Sequence, residues 1–243
     1  MRSFVFGASA GVGRALARCL AANGNDLVLA ARGEADLAAE AAHLRLSYGV
    51  DVQWLVLDAT DPAEVATRVA ALRNGALPQN LLFPVGLSDD GDDCGLNERA
   101  SADLINANLS SVIATVSLLL PALVEGGAGN IVGFGSVAAV RGRSGNVVYA
   151  AAKRGLESYF ESLRHRTAST EVRVQFYRLG YVATQMSYGR SLPFPVAEPE
   201  WIAEQVAAGL GRDLGLVHLP RFWGLIVPAV RAVPWWLFRK SKF

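Results

Sequence analysis

The sequence predicts an α/β protein built on one doubly wound, mostly parallel sheet of about seven strands, with helices on both faces. Three observations carry this expectation. Short apolar runs alternate with longer helical patterns along the chain, a glycine-rich turn follows the first of them, and 51% of the 243 residues are hydrophobic against 19% charged. That much apolar surface in a chain of this length can offset the conformational entropy of folding, which excludes disorder.

Phe4–Phe6 reads as the first strand and Arg14–Asn23 as the helix after it. Asp26–Ala31 and Val52–Leu57 read as the next two strands, each feeding a helical pattern, Glu34–Leu46 and Pro62–Leu72. Leu81–Val85 is the fourth strand. The uncharged run Leu104–Val124 holds two Asn, three Ser, a Thr and a Pro. It is expected to be a buried helix preceded by polar site residues, because a membrane span wants about 20 predominantly apolar residues. Ile131–Phe134, continued to Ser136, is the fifth strand, Val148–Ala168 the long helix behind it, and Val172–Tyr177 the sixth strand. Parallel crossovers are right-handed in nearly all cases, and ligands of such sheets gather beyond the carboxyl ends of the strands.

The formal net charge of +1 averages two unlike parts. Residues 217–243 carry Arg221, Arg231, Arg239, Lys240 and Lys242 and no acid, a charge of +5, which leaves −4 on residues 1–216. No repeat or Pro/Gly/Ser linker interrupts the first part, so one domain over 1–216 and a basic aromatic tail over 217–243 are expected. The acidity of the domain disfavours nucleic acid as a partner. Cys19 and Cys94 stand far apart without Cys-x-x-Cys or Cys/His spacing, so neither a disulfide framework nor a metal site is expected. Gly7 arrives too early for a signal peptide, and a cytoplasmic protein is expected.

The turn after the first strand reads Gly7-Ala8-Ser9-Ala10-Gly11-Val12-Gly13. Glycines there let the backbone approach a pyrophosphate, which the first N–H groups of the following helix then hold. The same glycines also serve a plain strand-to-helix turn. Strand two ends at Arg32 with no carboxylate to accept from a ribose 2′-hydroxyl, and Arg binds phosphate bidentately, so NADP(H) is favoured over NAD(H). A solvated arginine is the blander alternative. Asp58-Ala59 closes strand three, placed to accept from an adenine amino group or to cap the next helix.

Tyr149-Ala150-Ala151-Ala152-Lys153 sets a phenol and an ammonium four residues apart on one helical face. A neighbouring cation favours the phenolate and is expected to lower the tyrosine pKa. Ser136 closes the fifth strand at the same sheet edge, where its hydroxyl can polarise a carbonyl.

With Gly7, Gly11, Gly13, Asp58, Asn108, Ser136, Tyr149 and Lys153 in this order and spacing, residues 1–216 resemble the classical short-chain dehydrogenase/reductase family. The resemblance implies a Rossmann-type fold and oxidoreduction between CH–OH and C=O groups with a nicotinamide cofactor. It implies that Tyr149 is the general acid/base, that Ser136 orients the carbonyl, and that Lys153 also bonds the nicotinamide ribose. It implies that Asn108 holds a water of the proton relay, with Asn106 the nearest competitor. Gly86, Gly180, Val182 and Thr184 complete the implied cofactor seat. A homodimer or homotetramer through the helix at 106–124 and the helix bearing Tyr149 is implied as well.

The family's Asn-Asn-Ala-Gly reads Phe83-Pro84-Val85-Gly86 here, its Pro-Gly reads Leu179-Gly180, and Phe6 replaces a threonine before the first glycine. These departures touch scaffold and cofactor seating, so activity is still expected. Tyr181, Met186, Tyr188, Leu192, Phe194 and Trp201 follow in a proline-broken stretch that either folds over a hydrophobic carbonyl or alcohol substrate or closes the core. Asp89-Asp90-Gly91-Asp92-Asp93 lacks the oxygen ligands of a calcium loop at its later positions and reads as a solvated loop at the rim. His43, His165 and His218 stand singly.

Three of the five tryptophans lie in the tail beside its cations, with uncharged runs too short to span a bilayer. Such a segment lies at a lipid surface, here the inner face of a membrane, or packs on its own domain or on another subunit. Together with Phe83-Pro84-Val85-Gly86, the tail resembles that of reductases acting on polyprenyl-phosphoryl 2-keto-pentoses, which implies a lipid-linked substrate. Two other classes stay open: a sugar-nucleotide epimerase or dehydratase, and a non-catalytic NADP-binding regulator.

Overall fold

The computed structural model describes residues 1–75, 77–189 and 193–240. Seven strands form one sheet: β1 (Arg2–Phe6), β2 (Asp26–Ala31), β3 (Val52–Val56), β4 (Asn80–Phe83), β5 (Gly129–Ser136), β6 (Val172–Leu179) and β7 (Gly215–Leu219). Their order is β3-β2-β1-β4-β5-β6-β7 and every pairing is parallel. The winding reverses between β1 and β4, which puts the ligand crevice at their carboxyl ends.

Two apolar layers cover the sheet. On one face Leu16 and Leu20 of α1 (Gly11–Ala22), Leu37 and Leu44 of α2 (Glu34–Tyr48), and Ile202 and Val206 of α7 (Pro199–Gly209) pack on Val5, Leu27 and Leu29. On the other, α3 (Pro62–Ala70), α5 (Ser111–Glu125) and α6 (Val147–Arg166) bring Val65, Val116, Leu119, Leu156 and Phe160 onto Phe4, Phe6, Leu81 and Phe83. Alternate residues of a strand face opposite sides, which is why Phe4 and Val5 serve different layers.

The bounds follow the expected elements with physical reasons for the shifts. β4 stops at Phe83 because Pro84 has no N–H to continue the ladder. α3 starts behind Asp61, whose carboxylate accepts from Ala63 N at 3.1 Å and Glu64 N at 3.0 Å, with Pro62 in the first turn. The run expected as one buried helix is α4 (Glu98–Ile105), a π-helical turn at Asn106–Ser110, and α5. By composition Glu98–Glu125 is long enough to cross a membrane, yet Val112, Val116, Leu119 and Leu123 are buried on the sheet. β7 runs through the boundary drawn after Leu216, so the sheet claims the first residues of the basic segment. The remainder forms α8 (Trp223–Ala232) and α9 (Trp235–Phe238).

A polar ladder crosses the amino edge of the sheet. Ser3, Asn80 and Asn130 lie in register on β1, β4 and β5. Asn80 Nδ2 donates to Ser3 Oγ at 2.9 Å, Asn130 Nδ2 to Asn80 Oδ1 at 2.8 Å, and Ser3 Oγ to Asn25 Oδ1 at 3.2 Å. Gly211 N–H closes the row on Asn130 Oδ1 at 2.9 Å. At the opposite edge Phe83 occupies the first position of the altered Asn-Asn-Ala-Gly segment and is fully buried against Phe4.

Candidate active site

The carboxyl ends of β1 to β6 surround a cavity of about 430 Å³. Every residue expected in the site lines it except Gly13 and Asn108, which stand behind its wall. Gly7 turns the chain out of β1 with φ +102°, and its N–H donates to Ala30 O at 2.7 Å. A Cβ on Gly7 lies 2.8 Å from the Val85 backbone, and one on Gly13 lies 1.9 Å from Gly7 O. Gly13 thus serves the turn itself, while Ser9, Gly11 and Val12 face the cavity at the amino end of α1, as a cradle for a pyrophosphate requires.

Arg32 is exposed at the end of β2 and faces the cavity with no hydrogen bond or ion pair among the described residues. Asp58 does not cap α3, a role that Asp61 fills. Its Oδ1 accepts from Thr60 N and Thr60 Oγ1 at 2.9 and 2.8 Å beside Ala59. Asn106 Nδ2 donates to Thr60 O at 3.0 Å, so the competitor of Asn108 ties the π turn to the β3–α3 loop. Asn108 is fully buried: Nδ2 donates to Leu87 O at 2.7 Å and Leu104 O at 2.9 Å, and Oδ1 accepts from Leu87 N at 3.3 Å. Its side chain is spent on backbone, fixing the loop that begins at Gly86.

Ser136 ends β5 with its Oγ accepting from Ala138 N at 3.1 Å, and it lines the cavity together with Tyr149. Lys153, one helical turn beyond Tyr149, is buried and donates to Val85 O at 3.1 Å and Phe134 O at 3.2 Å, bridging the ends of β4 and β5. Burial without a carboxylate partner lowers its pKa from 10.5 to about 8. Burial also raises that of Tyr149, against the opposing effects of the neighbouring Ser136 hydroxyl and the charge of Arg143. The expected lowering of the tyrosine by Lys153 is therefore corrected: desolvation outweighs the cations, and the cation that acts on the phenol is Arg143.

Sequence reasoning missed Asp92. Read as part of a solvated loop, it is 2% exposed, and its carboxylate accepts from Val148 N at 2.7 Å and Tyr149 N at 2.8 Å. Its carbonyl accepts from Asn146 N at 2.6 Å and Val147 N at 3.1 Å. A carboxylate 57 residues upstream thus caps the helix that carries the phenol, where the dipole favours an anion. A cap so remote in sequence leaves no local signal.

Of the proline-broken stretch, Tyr181 and Met186 line the cavity, Tyr188 is exposed, and Leu192 lies outside the described residues. Phe194 and Tyr181 pack edge-on against Trp223, ring centres at 4.9 and 5.8 Å. Trp223 itself lies so close beneath Gly180 that a Cβ there meets its Nε1 at 1.9 Å. Thr184 touches Gly11 across the cavity mouth, and Val182 is buried beside it. The inner face of the basic segment is thereby part of the wall behind the site.

A model of the short chain dehydrogenase family matches residues 3–191. The chain belongs to that family. Among its relatives, an uncharacterised oxidoreductase of Mycobacterium tuberculosis is 31% identical over 241 residues, 97% of this chain and 95% of that one. The 3-oxoacyl-[acyl-carrier-protein] reductase FabG of Escherichia coli is 31% identical over 186 residues, 76% of this chain and 75% of its own. A solved short-chain dehydrogenase from Sphingobium yanoikuyae in complex with NADPH superposes with a TM-score of 0.85 at 26% identity, covering 99% and 96% of the two chains. As a short-chain dehydrogenase, the protein is an oxidoreductase of CH–OH and C=O groups that uses a nicotinamide cofactor. Membership displaces the epimerase and non-catalytic readings.

Proposed function

We propose that the protein is an NADP(H)-dependent carbonyl reductase in which Ser136, Tyr149 and Lys153 handle the proton and the substrate carries a hydrophobic arm. The observation that carries this reading is that Ser136, Tyr149 and Lys153 line one cavity together with the glycine turn of Gly7 and Gly11. The nicotinamide, when bound, supplies or accepts the hydride.

Ser136 has one lone pair engaged by Ala138 N–H, which leaves its hydroxyl proton to donate to a carbonyl oxygen. Tyr149 is held protonated by burial, the state required of an acid that delivers a proton to an oxygen becoming an alkoxide. Lys153, with its pKa near 8, is a mostly charged neighbour that holds the ribose of the cofactor, while the charge of Arg143 stabilises the phenolate left behind. Asn108 acts as a positioning residue: it fixes Leu87, and its Oδ1 and Lys153 Nζ crowd the same side of Gly86, 3.2 and 3.4 Å from where a Cβ would stand. Gly7, Gly11 and Val12 cradle the pyrophosphate, Asp58 with Ala59 receives the adenine, and Gly180, Val182 and Thr184 border the nicotinamide.

NADPH is preferred because Arg32 is free to meet a 2′-phosphate, in keeping with the NADPH bound by the Sphingobium enzyme. The hydrophobic arm rests on Tyr181 and Met186. The outer face of α8 and α9 exposes Leu225, Trp235, Trp236 and Leu237 beside Arg231, Arg239 and Lys240, and we place it on an anionic lipid surface. Two copies associate through the half-exposed Ile113, Leu118 and Leu120 of α5 and through α6.

The experiment is a panel of carbonyl compounds with NADPH or NADH, with and without detergent. The reading expects turnover with NADPH at a kcat/KM at least tenfold above NADH, and loss of that preference in Arg32→Ala. Binding of NADPH without oxidation by any carbonyl contradicts it. For the tail, flotation with anionic liposomes is expected to fall in a Trp235→Ser/Trp236→Ser variant. Truncation at residue 216 is unsuitable, since it cuts β7.

A further inference from the structure

Arg143 is a guanidinium without a partner in a place built to hold it still. It lines the cavity beside Tyr149, its Nε is buried, and neither a hydrogen bond nor an ion pair satisfies it among the described residues. Arginine brings five donors in a planar fork that matches the oxygens of a carboxylate or phosphate. A buried donor left unpaired is a cost that folded proteins rarely carry without a reason.

The loop that presents it is tied on both sides. Two residues before, the Arg141 guanidinium donates to Val230 O at 3.0 Å and to Val233 O, and lies 3.9 Å over the Phe238 ring. Three residues after, Asn146, held at a positive φ of +129° that residues other than glycine rarely adopt, donates its N–H to Asp92 O at 2.6 Å. Position 143 is thus fixed by the tail on one side and by the cap of α6 on the other, while its own side chain stays uncommitted.

No carboxylate pairs with it among the described residues: the buried Asp92, on the neighbouring loop, spends its carboxylate on the backbone N–H groups of Val148 and Tyr149. Asp58 is the one carboxylate lining the cavity among the described residues, and it sits at the end of β3. The Arg143 loop leaves β5, four strands away across the sheet, roughly 19 Å at ordinary strand spacing. The phosphates of a dinucleotide belong at the glycine loop of β1 and at Arg32 of β2, on the far side of the crevice from this loop. The charge of Arg143 acts instead on the Tyr149 phenol, the point where the carbonyl oxygen must lie.

We propose that Arg143 binds an anionic oxygen group, phosphate or carboxylate, that the substrate carries close to its reacting carbonyl. The proposal rests on the reductase reading and narrows its substrate to amphiphiles with a charged head. Arg143 selects the substrate by its anion, and the fork also turns the adjoining carbonyl toward Ser136 and Tyr149. Because Arg143 acts on the phenol as well, the informative quantity is a ratio in which any effect on proton transfer cancels.

The test uses the full chain and two matched pairs: dihydroxyacetone phosphate against dihydroxyacetone, and acetoacetate against ethyl acetoacetate. In the wild type, kcat/KM with NADPH is expected to favour the anionic member of at least one pair by tenfold or more, and the favoured pair tells phosphate from carboxylate. In Arg143→Gln the ratio is expected to fall to about one, with an intermediate value in Arg143→Lys and NADPH binding retained in both. An equal ratio in wild type and Arg143→Gln overturns the proposal, and turnover of the neutral members with that result leaves the reductase reading intact. If no member of either pair turns over, inorganic phosphate and acetate titrated into the NADPH-saturated protein, followed by nicotinamide fluorescence, decide. Saturable binding of either that Arg143→Gln lacks supports the proposal, and the same response in both proteins, or none in either, overturns it.

Discussion

The two edges of the sheet use polar residues in opposite ways. At the amino edge Asn25, Ser3, Asn80 and Asn130 pass hydrogen bonds from strand to strand, each donor meeting an acceptor within 3.2 Å. At the carboxyl edge two buried donors, Arg143 Nε and Trp223 Nε1, have no partner among the described residues, and Lys153 meets carbonyls in place of a carboxylate. A satisfied network rigidifies, while an unsatisfied one holds free energy ready for a ligand. The comparison teaches how the chain tolerates Phe83 and Pro84 in place of amides near the site: part of the work of pinning the central strands is done at the far edge.

Substitutions at the two edges should accordingly separate turnover from stability. The largest effect is expected of Tyr149→Phe, which removes the proton donor and should lower kcat by about 10²–10⁴-fold while NADPH affinity stays within about twofold. Stopped-flow turnover with fluorescence binding measures both; a variant with undiminished kcat breaks the assignment. Next comes Asp92→Ala, which uncaps α6 beneath Tyr149. We expect kcat to fall by roughly tenfold or more with KM for NADPH nearly unchanged, and unfolding free energy to drop by about 1–2 kcal/mol. A purely structural cap would lower the stability alone.

At the amino edge Asn80→Leu strands the amide of Asn130 in a part-buried site, and should destabilise the fold by about 2 kcal/mol in urea titration. Its kcat per folded molecule is expected to match the wild type, and a loss of turnover at this distance would dissolve the contrast between the edges. The smallest effect belongs to Lys153. Its pKa is near 8 in the folded protein and 10.5 when solvated, so the folded state releases a proton that the unfolded state keeps. The stability linked to this shift is complete above 10.5 and is lost as pH falls through 8. Relative to Lys153→Met, the wild type should therefore gain about 1 kcal/mol between pH 7 and 9. A difference independent of pH contradicts the lowered pKa.

Much of this arrangement is legible in the sequence because it is local. The β-α alternation, the glycine turn and the Tyr149–Lys153 spacing each depend on residues within a few positions of one another, and all reappear in the fold. What escaped depends on contacts between distant segments. Asp92 caps a helix that begins 55 residues later, and Arg141 locks a loop to carbonyls about 90 residues away, neither with a pattern around it. The role of Asn108 needed the π turn to be seen, since only the structure reveals that its amide is occupied by Leu87 and Leu104. The cut after Leu216 failed for a related reason: the charge asymmetry is real, but strand pairing with β6 holds β7 across it.

The measurement that bears most directly on the account is the transfer of deuterium from NADPH carrying deuterium at both C4 positions to a carbonyl carbon, followed by mass spectrometry of the alcohol formed. The account predicts one deuterium in the product with the wild-type protein and label transfer at least a hundredfold slower with Tyr149→Phe. Alcohol formed without the label, or label transfer at equal rates in both proteins, would contradict it.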